Sequence, residues 1–338
     1  MRKNFLIGAG VVSAAAILFI GWINSAPRGT REGLLPVPPN STAGQAVQRL
    51  TSDGRIRSAR WFRFLLRATG TGKRLKAGIY RIDGGMSAWG IVRRLSSGRS
   101  VTLRVTVPEG WTADKIAERL DAAGVCGKDA FLSAVSSGTA EGFLFPDTYE
   151  LDPYIPPERA RDVLVNRFEK AWRRALEVSS SSLREVEVST VSARFDRVRR
   201  KDGRWWTARE IVTLASIVER EGGRPQERAR IAAVYVNRLK KRMKLEADPT
   251  VQYALGRWKD RLLYRDLEVD SPYNTYRYYG LPPGPIGNPG LESIEASLAP
   301  AEGPDLYFVA DQEGGHAFSV SYSQHLRNVR AYRNRRED

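Results

Sequence analysis

Two glutamates, Glu219 and Glu221, close a helix-forming run and are the residues of this chain best suited by type and spacing to acid–base chemistry. Thr207-Ala208-Arg209-Glu210 has the pattern of a capping box. Ile211, Val212, Leu214, Ala215, Ile217 and Val218 follow, and Gly222-Gly223 with Pro225 ends the run. At about 100° per residue, Glu219 falls beside Val212 and Ala215 on one edge of the apolar face. Glu221 falls on the other edge, and Arg220 points to the polar side. A carboxyl group beside hydrophobic surface, near the negative end of a helix dipole, is disfavoured in its ionised form. That is the state a general acid needs near neutral pH. Helix geometry does not choose between the two glutamates. Both can equally be ordinary end-of-helix acids, solvated or paired with Arg224 or Arg228.

The segments that follow supply polar groups for a binding site. A second helix is predicted with Ile231, Ala232, Val234, Tyr235 and Leu239 on its apolar side and Asn237 and Arg238 among its polar positions. Asp248-Pro249-Thr250 opens a third, with Asp248 as its cap and Gln252 in its first turn. Ser271-Pro272-Tyr273-Asn274-Thr275-Tyr276 and Gly280-Leu281-Pro282-Pro283-Gly284-Pro285-Ile286 read as loops. Their aromatics and amides suit a sugar, whose faces stack on rings and whose hydroxyl and acetamido groups take hydrogen bonds.

Other chemistries fit poorly. Gly70-Thr71-Gly72-Lys73 lacks the earlier glycine of a phosphate loop, and Arg74 stands where Ser or Thr is required. There is no G-x-S-x-G elbow and no H-E-x-x-H motif. Cys126 is the only cysteine, which excludes a disulfide within the chain, and with His316 and His325 as the only histidines a structural zinc site is not expected.

These residues need a scaffold, and the 338-residue chain is long enough for two or three modules. Its 42% hydrophobic and 27% charged residues are ordinary globular composition, but the formal net charge of +16 calls for an anionic partner. Phe5 to Ile23 is an uncharged apolar run of membrane-spanning length, preceded by Arg2 and Lys3, with Trp22 where an interfacial aromatic belongs. A single-pass inner-membrane anchor with a cytoplasmic N-terminus is therefore expected, in preference to a signal peptide cleaved near Ser25-Ala26. Such an orientation places the rest of the chain outside the cytoplasm. No nucleic-acid partner is then expected, and anionic lipid or cell-wall polymer answers the charge.

Pro27 to Pro39 reads as a linker, and a repeat follows it. Val37-Pro38-Pro39-Asn40-Ser41-Thr42-Ala43 leads into Ala46, Val47, Leu50 and Gly54. Val107-Pro108-Glu109-Gly110-Trp111-Thr112-Ala113 leads into Ile116, Ala117, Leu120 and Gly124. Each reads as strand, turn, Thr-capped amphipathic helix and glycine stop, with a weaker copy from Ile79 to Gly98. Glu141 to Tyr149 is an aromatic-rich strand or packed loop. A basic helix within Pro153 to Lys201 is predicted to bury Val163, Val165, Phe168 and Trp172, and the serines from Ser179 to Ser182 interrupt it. Arg194, Arg197, Arg199, Arg200, Lys201 and Arg204 form a charge cluster, read as a solvated or polymer-binding face.

Taken together and in order, several motifs resemble the endolytic murein transglycosylase (YceG-like) family. They are Ala215-Ser216-Ile217-Val218-Glu219-Arg220-Glu221, Val234-Tyr235-Val236-Asn237-Arg238-Leu239, Leu245-Glu246-Ala247-Asp248-Pro249-Thr250-Val251-Gln252-Tyr253, Tyr273-Asn274-Thr275-Tyr276, the Gly280–Ile286 loop and Leu306-Tyr307-Phe308-Val309-Ala310. The resemblance covers roughly residues 105 to 330 and weakens before residue 100 and around Ser179 to Lys201. It implies an α+β fold: an N-terminal transmembrane helix (5–24) after a short cytoplasmic tail (1–4), a linker (25–36), a membrane-proximal α/β module (37–105), a LysM-like module with connector (106–152) and a mixed α+β catalytic domain (153–335).

The resemblance also carries the family's catalytic glutamate onto Glu219. It places Asp248, Gln252, Asn274, Tyr276, Glu221 and Asn237 among the substrate-binding positions. The implied reaction is non-hydrolytic cleavage between MurNAc and GlcNAc of peptidoglycan strands, leaving 1,6-anhydroMurNAc ends. One carboxyl serves as acid and then base, without metal or cofactor. Peptidoglycan strands, the inner membrane and peptidoglycan synthases of the penicillin-binding class are the implied partners. A non-catalytic peptidoglycan-binding anchor and a muramidase-type hydrolase are the rival readings.

Overall fold

The computed structural model describes residues 2–136, 140–201, 203–311 and 313–334, without the side chains of residues 2–12 and 334. The chain forms two compact units. The first comprises Met1–Arg104, Ala123–Cys126 and Glu150–Pro156; the second comprises Val105–Ala122, Gly127–Tyr149 and Pro157–Asp338. The architecture is mixed α+β, with small sheets of two or three strands.

The first unit begins with α1 (Arg2–Asn24). The expected membrane span falls partly on residues 2–12, whose side chains lie outside the described residues. Among the described residues no helix is long and apolar enough to cross a membrane. Next come β1 (Gly33–Val37), α2 (Ala43–Ser52), α3 (Ala59–Ala68), β2 (Gly78–Ile82) and α4 (Ala88–Ser97). The expected capping chemistry is present. Thr42 closes a capping box with Gln45 at the start of α2, Ser58 caps α3, Ser87 caps α4, and Gly98 ends α4 in the left-handed region. The sheet pairs β1 and β2 antiparallel, with Leu35 opposite Tyr80. Its inward residues meet Val47 and Leu50 of α2, Phe62 and Leu66 of α3, and Ile91 and Leu95 of α4 in one core. A βααβ hairpin of this size cannot bury either helix face alone; α4 closes the open side.

A second βααβ order follows in β3 (Leu103–Thr106), α5 (Ala113–Ala122), α6 (Lys128–Ser136) and β4 (Thr148–Leu151), with β3 paired to β4. The repeat read from sequence is thus the first half of a longer βααβ pattern. Segment 106–152 contributes Val105–Ala122 and Gly127–Tyr149 to the second unit and Ala123–Cys126 and Glu150–Pro156 to the first.

The rest of the second unit is mainly helical. The long α7 (Pro157–Val178) buries Ala160, Leu164, Phe168, Ala171, Trp172 and Ala175. The helical stripe therefore runs through Leu164, and Val163, expected inside, is exposed. The arginine cluster forms a meander of β5 (Leu183–Glu187), β6 (Arg197–Arg200) and β7 (Trp205–Thr207). Here Trp206 lies between the guanidinium groups of Arg200, at 5.2 Å, and Arg204, at 4.4 Å. Asp196 is buried and ties the meander to α7, accepting from Trp172 Nε1 at 2.8 Å and from the Ser189 amide at 2.6 Å.

The centre of this unit is α8 (Ala208–Glu221), capped by the expected Thr207–Glu210 box and buried at every position from Ile211 to Val218. Around it pack α9 (Arg228–Lys240), α10 (Asp248–Ala254) and α11 (Leu291–Leu298). Strands β8 (Tyr307–Ala310) and β9 (His316–Ser319) form an antiparallel hairpin that sets Ala310 opposite His316, and α12 (Tyr322–Asn334) follows. The core joins Phe168 and Trp172 of α7, Val212 and Ile217 of α8, Ile231 and Tyr235 of α9, and Ile294 and Leu298 of α11. Only the last turn of α8 leaves it, and that turn carries Glu219, Arg220 and Glu221.

Candidate active site

The two glutamates at the end of α8 enter different surroundings. Glu219 is drawn into a clamp. Its side chain is only 7% exposed, and both carboxylate oxygens are engaged within the protein. One accepts from the Gly290 amide at 2.9 Å, the other from Arg228 Nη2 at 3.3 Å. Arg228, the first residue of α9, also bonds Glu292 and lies 4.0 Å from Glu109. Burial, the Glu219 charge and Glu292 raise the Glu109 carboxyl above its usual range, against the opposing pull of Arg228. Backbone approaches are close here: a Cβ on Gly290 would lie 1.9 Å from Glu109 Oε1. Glu219 thus ties the end of α8 to the start of α9 and to the loop before α11.

Glu221 faces a cavity of ≈ 390 Å³ that is also lined by Tyr235, Arg238, Asp248, Tyr276, Phe308, His316 and His325. Tyr235 donates its hydroxyl proton to Glu221 Oε1. Burial pushes the Glu221 carboxyl up to about 7; the Tyr235 hydrogen bond and Arg238 oppose the rise, and the Asp248 charge adds to it. Asp248 does not cap α10 as expected, since that position is Ala247. Its carboxylate accepts instead from the Tyr276 hydroxyl at 2.6 Å. Arg238 is buried. It donates from Nε to the Leu306 carbonyl at 2.7 Å, from Nη1 to the Leu245 carbonyl at 2.9 Å, and to Glu246 at 3.0 Å. Glu246 itself adopts a φ of 49°, a strained conformation for a residue with a side chain. Arg238 thereby fixes the walls on either side of the cavity.

The structure therefore brings together Glu221, Asp248 and Tyr276 of the sequence-predicted residues, and places the others elsewhere. Gln252 donates to and accepts from the Lys259 backbone, both at 2.8 Å. Asn274 is fully buried and donates to the Leu267 and Val269 carbonyls at 2.8 and 2.9 Å. Asn237 donates to the Gly303 and Asp305 carbonyls and lines a separate cavity of ≈ 460 Å³ near Lys201 and Lys240. These three amides hold loops. The Gly280–Ile286 loop lies over α8, where the Ile286 amide donates to Ser216 Oγ at 3.0 Å.

Sequence reasoning passed over four cavity residues. Tyr235 read as a core aromatic and Arg238 as a polar-face cation. His316 and His325 were weighed only as metal ligands. Yet the chain has just two histidines, and both line this cavity. That scarcity was the available signal. Burial, with Arg238, pushes the His325 imidazole below its ordinary range.

Residues 35–331 match the profile of the YceG-like family. The endolytic murein transglycosylase of Bacillus subtilis (strain 168) is 30% identical over 322 residues, covering 88% of this chain and 83% of that protein. The endolytic murein transglycosylase of Streptococcus pneumoniae serotype 2 (strain D39) is 29% identical over 298 residues. That match covers 75% of this chain and 50% of the pneumococcal protein, so the chain spans about half its length. A crystal structure of a putative yceG-like protein from Listeria monocytogenes has a TM-score of 0.52 and 29% identity, covering 88% of this chain and 99% of that one.

Proposed function

The chain belongs to the YceG-like family, and from that premise we propose that it is a peptidoglycan lytic transglycosylase whose proton donor is Glu219, the position onto which the resemblance carries the family's catalytic glutamate. The observation that carries this reading is the family match over residues 35–331, with Glu219 held nearly buried in the last turn of α8 beside Arg228, Glu109 and the Gly290 amide. Glu221, which accepts from Tyr235 and is raised by burial to about 7, is the second acid of the run and lines the neighbouring cavity.

Glu219 protonates the oxygen between MurNAc C1 and GlcNAc as that bond breaks. Positive charge grows at C1 in that step. The MurNAc C6 oxygen then attacks C1 and loses its proton, which restores the Glu219 acid and leaves a 1,6-anhydro end. The substrate is a peptidoglycan strand, as the names of the curated relatives indicate for those proteins. The apolar run from Phe5 to Ile23 supports a membrane anchor, and the βααβ order of β3, α5, α6 and β4 is compatible with the LysM-like module expected at 106–152. Peptidoglycan synthases are the expected neighbours at the membrane.

Purified glycan strands incubated with wild type, Glu221→Gln and Glu219→Gln test the assignment. Wild type is expected to yield anhydro-ended fragments by mass spectrometry. Glu219→Gln should lower the rate on the order of 10²–10⁴-fold, and Glu221→Gln far less. A folded Glu219→Gln protein that cleaves normally overturns the assignment. One observation favours a second reading: Asp248 is the second carboxylate that a muramidase needs. Reducing ends, one water heavier than anhydro ends, would establish that hydrolase.

A further inference from the structure

We propose that Arg220, stacked on Trp258 beside Glu219, binds a carboxylate carried by MurNAc and so sets which linkage of the strand is cut. The proposal rests on the transglycosylase reading above and adds a specificity-determining subsite to it. Arg220 is half-buried, and its guanidinium lies over the Trp258 ring, 3.6 Å from the centroid. Its Nε is buried with no acceptor among the described residues. Burial pulls the guanidinium below its usual proton affinity, and the Glu219 charge opposes this. An arginine taken partly out of water is ordinarily compensated by a carboxylate. Here the fold supplies an aromatic face and leaves the hydrogen-bonding role open.

The neighbouring cations repeat the pattern. Lys115 of α5 holds its ammonium 6.0 Å from the centroid of the same indole, and Arg119, one turn further on, lies 5.5 Å from the Trp111 ring. The acids of α5, Asp114 and Glu118, pair instead with Lys128, at 3.0 and 2.8 Å. No ion pair joins Lys115, Arg119 or Arg220 to an acid among the described residues. Like charges gathered without an acid repel one another, and a bound anion relieves that repulsion. The place of this cluster is fixed relative to Glu219. The two side chains are consecutive in the last turn of α8, and Gly110 packs against both: a Cβ there would lie 3.0 Å from Arg220 Cδ and 3.5 Å from Glu219 Cγ. The Gly110 amide in turn donates to the Asn288 carbonyl at 2.8 Å. Gln252 bonds the Lys259 backbone through both ends of its amide and so pins the loop that carries Trp258.

The strand offers few anions to such a site. In an unmodified glycan strand every acidic group hangs from MurNAc, either as the lactyl carboxylate or on the peptide attached to it, and GlcNAc carries none. A cationic shelf next to the proton donor therefore tells the two alternating sugars apart by charge. The guanidinium edge takes a carboxylate with paired N–H donors while its face stays on the indole. With that carboxylate bound, the strand lies in the register that presents the bond from MurNAc C1 to Glu219, and not the alternate bond from GlcNAc C1. No proton or bond is exchanged at this subsite, and Arg220 acts by binding alone.

Full-length protein in detergent, assayed on three forms of the same glycan strands, tests the subsite. One form bears peptide stems, one has the stems removed so that the lactyl carboxylate is free, and one has its carboxylates converted to amides. Wild type is expected to lose about tenfold in kcat/KM on the amidated strands, chiefly through KM. Arg220→Met keeps an unbranched side chain against Trp258 and Gly110 but removes the charge, and is expected to reduce that preference to about twofold or less. Lys115→Met, on a different element from Glu219, should reduce it partway. A wild-type preference for stem-bearing over stripped strands that Arg220→Met abolishes assigns the carboxylate to the peptide. Equal use of both, with amidated strands poor, assigns it to the lactyl group. Equal kcat/KM of wild type on charged and amidated strands overturns the subsite, and so does a folded Arg220→Met protein whose preference is unchanged. Titration of the strands into Glu219→Gln separates this proposal from the one it rests on. If Glu219→Gln cleaves normally, the proton-donor assignment fails; if it is inactive yet binds charged and amidated strands equally, the subsite alone fails.

Discussion

A carboxyl that titrates near 7 inside a folded protein costs stability whenever it is ionised. Glu221 has its folded pKa raised from 4.5 to about 7, so between those values the native state binds more protons than the unfolded chain. Stability must then fall as pH rises through that window, and the whole penalty is present above about 7. Replacing Glu221 by Gln removes the penalty and retains an acceptor for Tyr235. The variant is expected to match wild type near pH 4.5 and to exceed it above pH 7 by on the order of 1–3 kcal/mol. Thermal unfolding at the two pH values checks this, and an equal difference at both would contradict it. Glu141, also raised by burial to about 7, follows the same sign. It accepts from the Ala113 amide and Asn288, so its ionisation above neutral pH loads the junction between α5 and the Pro289–Gly290 loop. At this scale helix geometry narrowed the acid to two residues, and only the family resemblance chose Glu219 between them. The 3.6-residue period places Glu219 and Glu221 on equivalent edges of α8. What separates them is what each edge meets: Arg228 and the Gly290 amide for one, Tyr235 and an open cavity for the other. Those partners come from segments 9 to 71 residues away, beyond the reach of helix periodicity.

Elements were legible where their ends carry chemistry. The Thr42, Ser87 and Thr207 caps and the glycine stops at Gly98 and Gly222 lie where pattern placed them. The β5–β7 meander was not, because its arginines alternate with core positions. Val198 and Trp206 turn inward as a cross-strand pair, while Arg197 and Arg199 lie outside against Trp205. A charge count registers only the arginines. The junction of α8 and α9 is the element-scale feature that holds the site, and it depends on one cation. Arg228 faces Glu219, Glu292 and Glu109, of which Glu219 is nearly buried. Arg228→Met leaves those carboxylates facing each other without compensation. It should destabilise the protein by about 1–3 kcal/mol, less than a fully buried broken pair because Glu292 and Glu109 remain half in solvent. Urea unfolding measures it. A double variant, Arg228→Met with Glu219→Gln, should recover part of the loss, whereas additive losses would show that the clamp does not act as a unit.

The division into two units was the least legible feature at the scale of the whole molecule. Ala123–Cys126 and Glu150–Pro156 join the first unit, although the chain on either side of them belongs to the second. Such crossings are decided by long-range packing, which no local pattern reports. Charge, by contrast, is read directly, and it poses a question of attachment. A chain of net charge +16 is drawn to an anionic bilayer by electrostatics alone, and its apolar run at Phe5–Ile23 would hold it there by insertion. The two modes separate in salt. At 1 M salt the screening length is only about 3 Å, so attachment by charge is lost, whereas burial of apolar side chains in hydrocarbon is not weakened. The full chain in vesicles containing anionic lipid is expected to stay with the membrane in 1 M salt and to leave only with detergent. Removing residues 2–24 should yield a protein that binds the same vesicles at low salt and dissociates between about 0.1 and 1 M. Release of the full chain by salt alone would mean that charge, and not the apolar run, keeps the active site near the membrane.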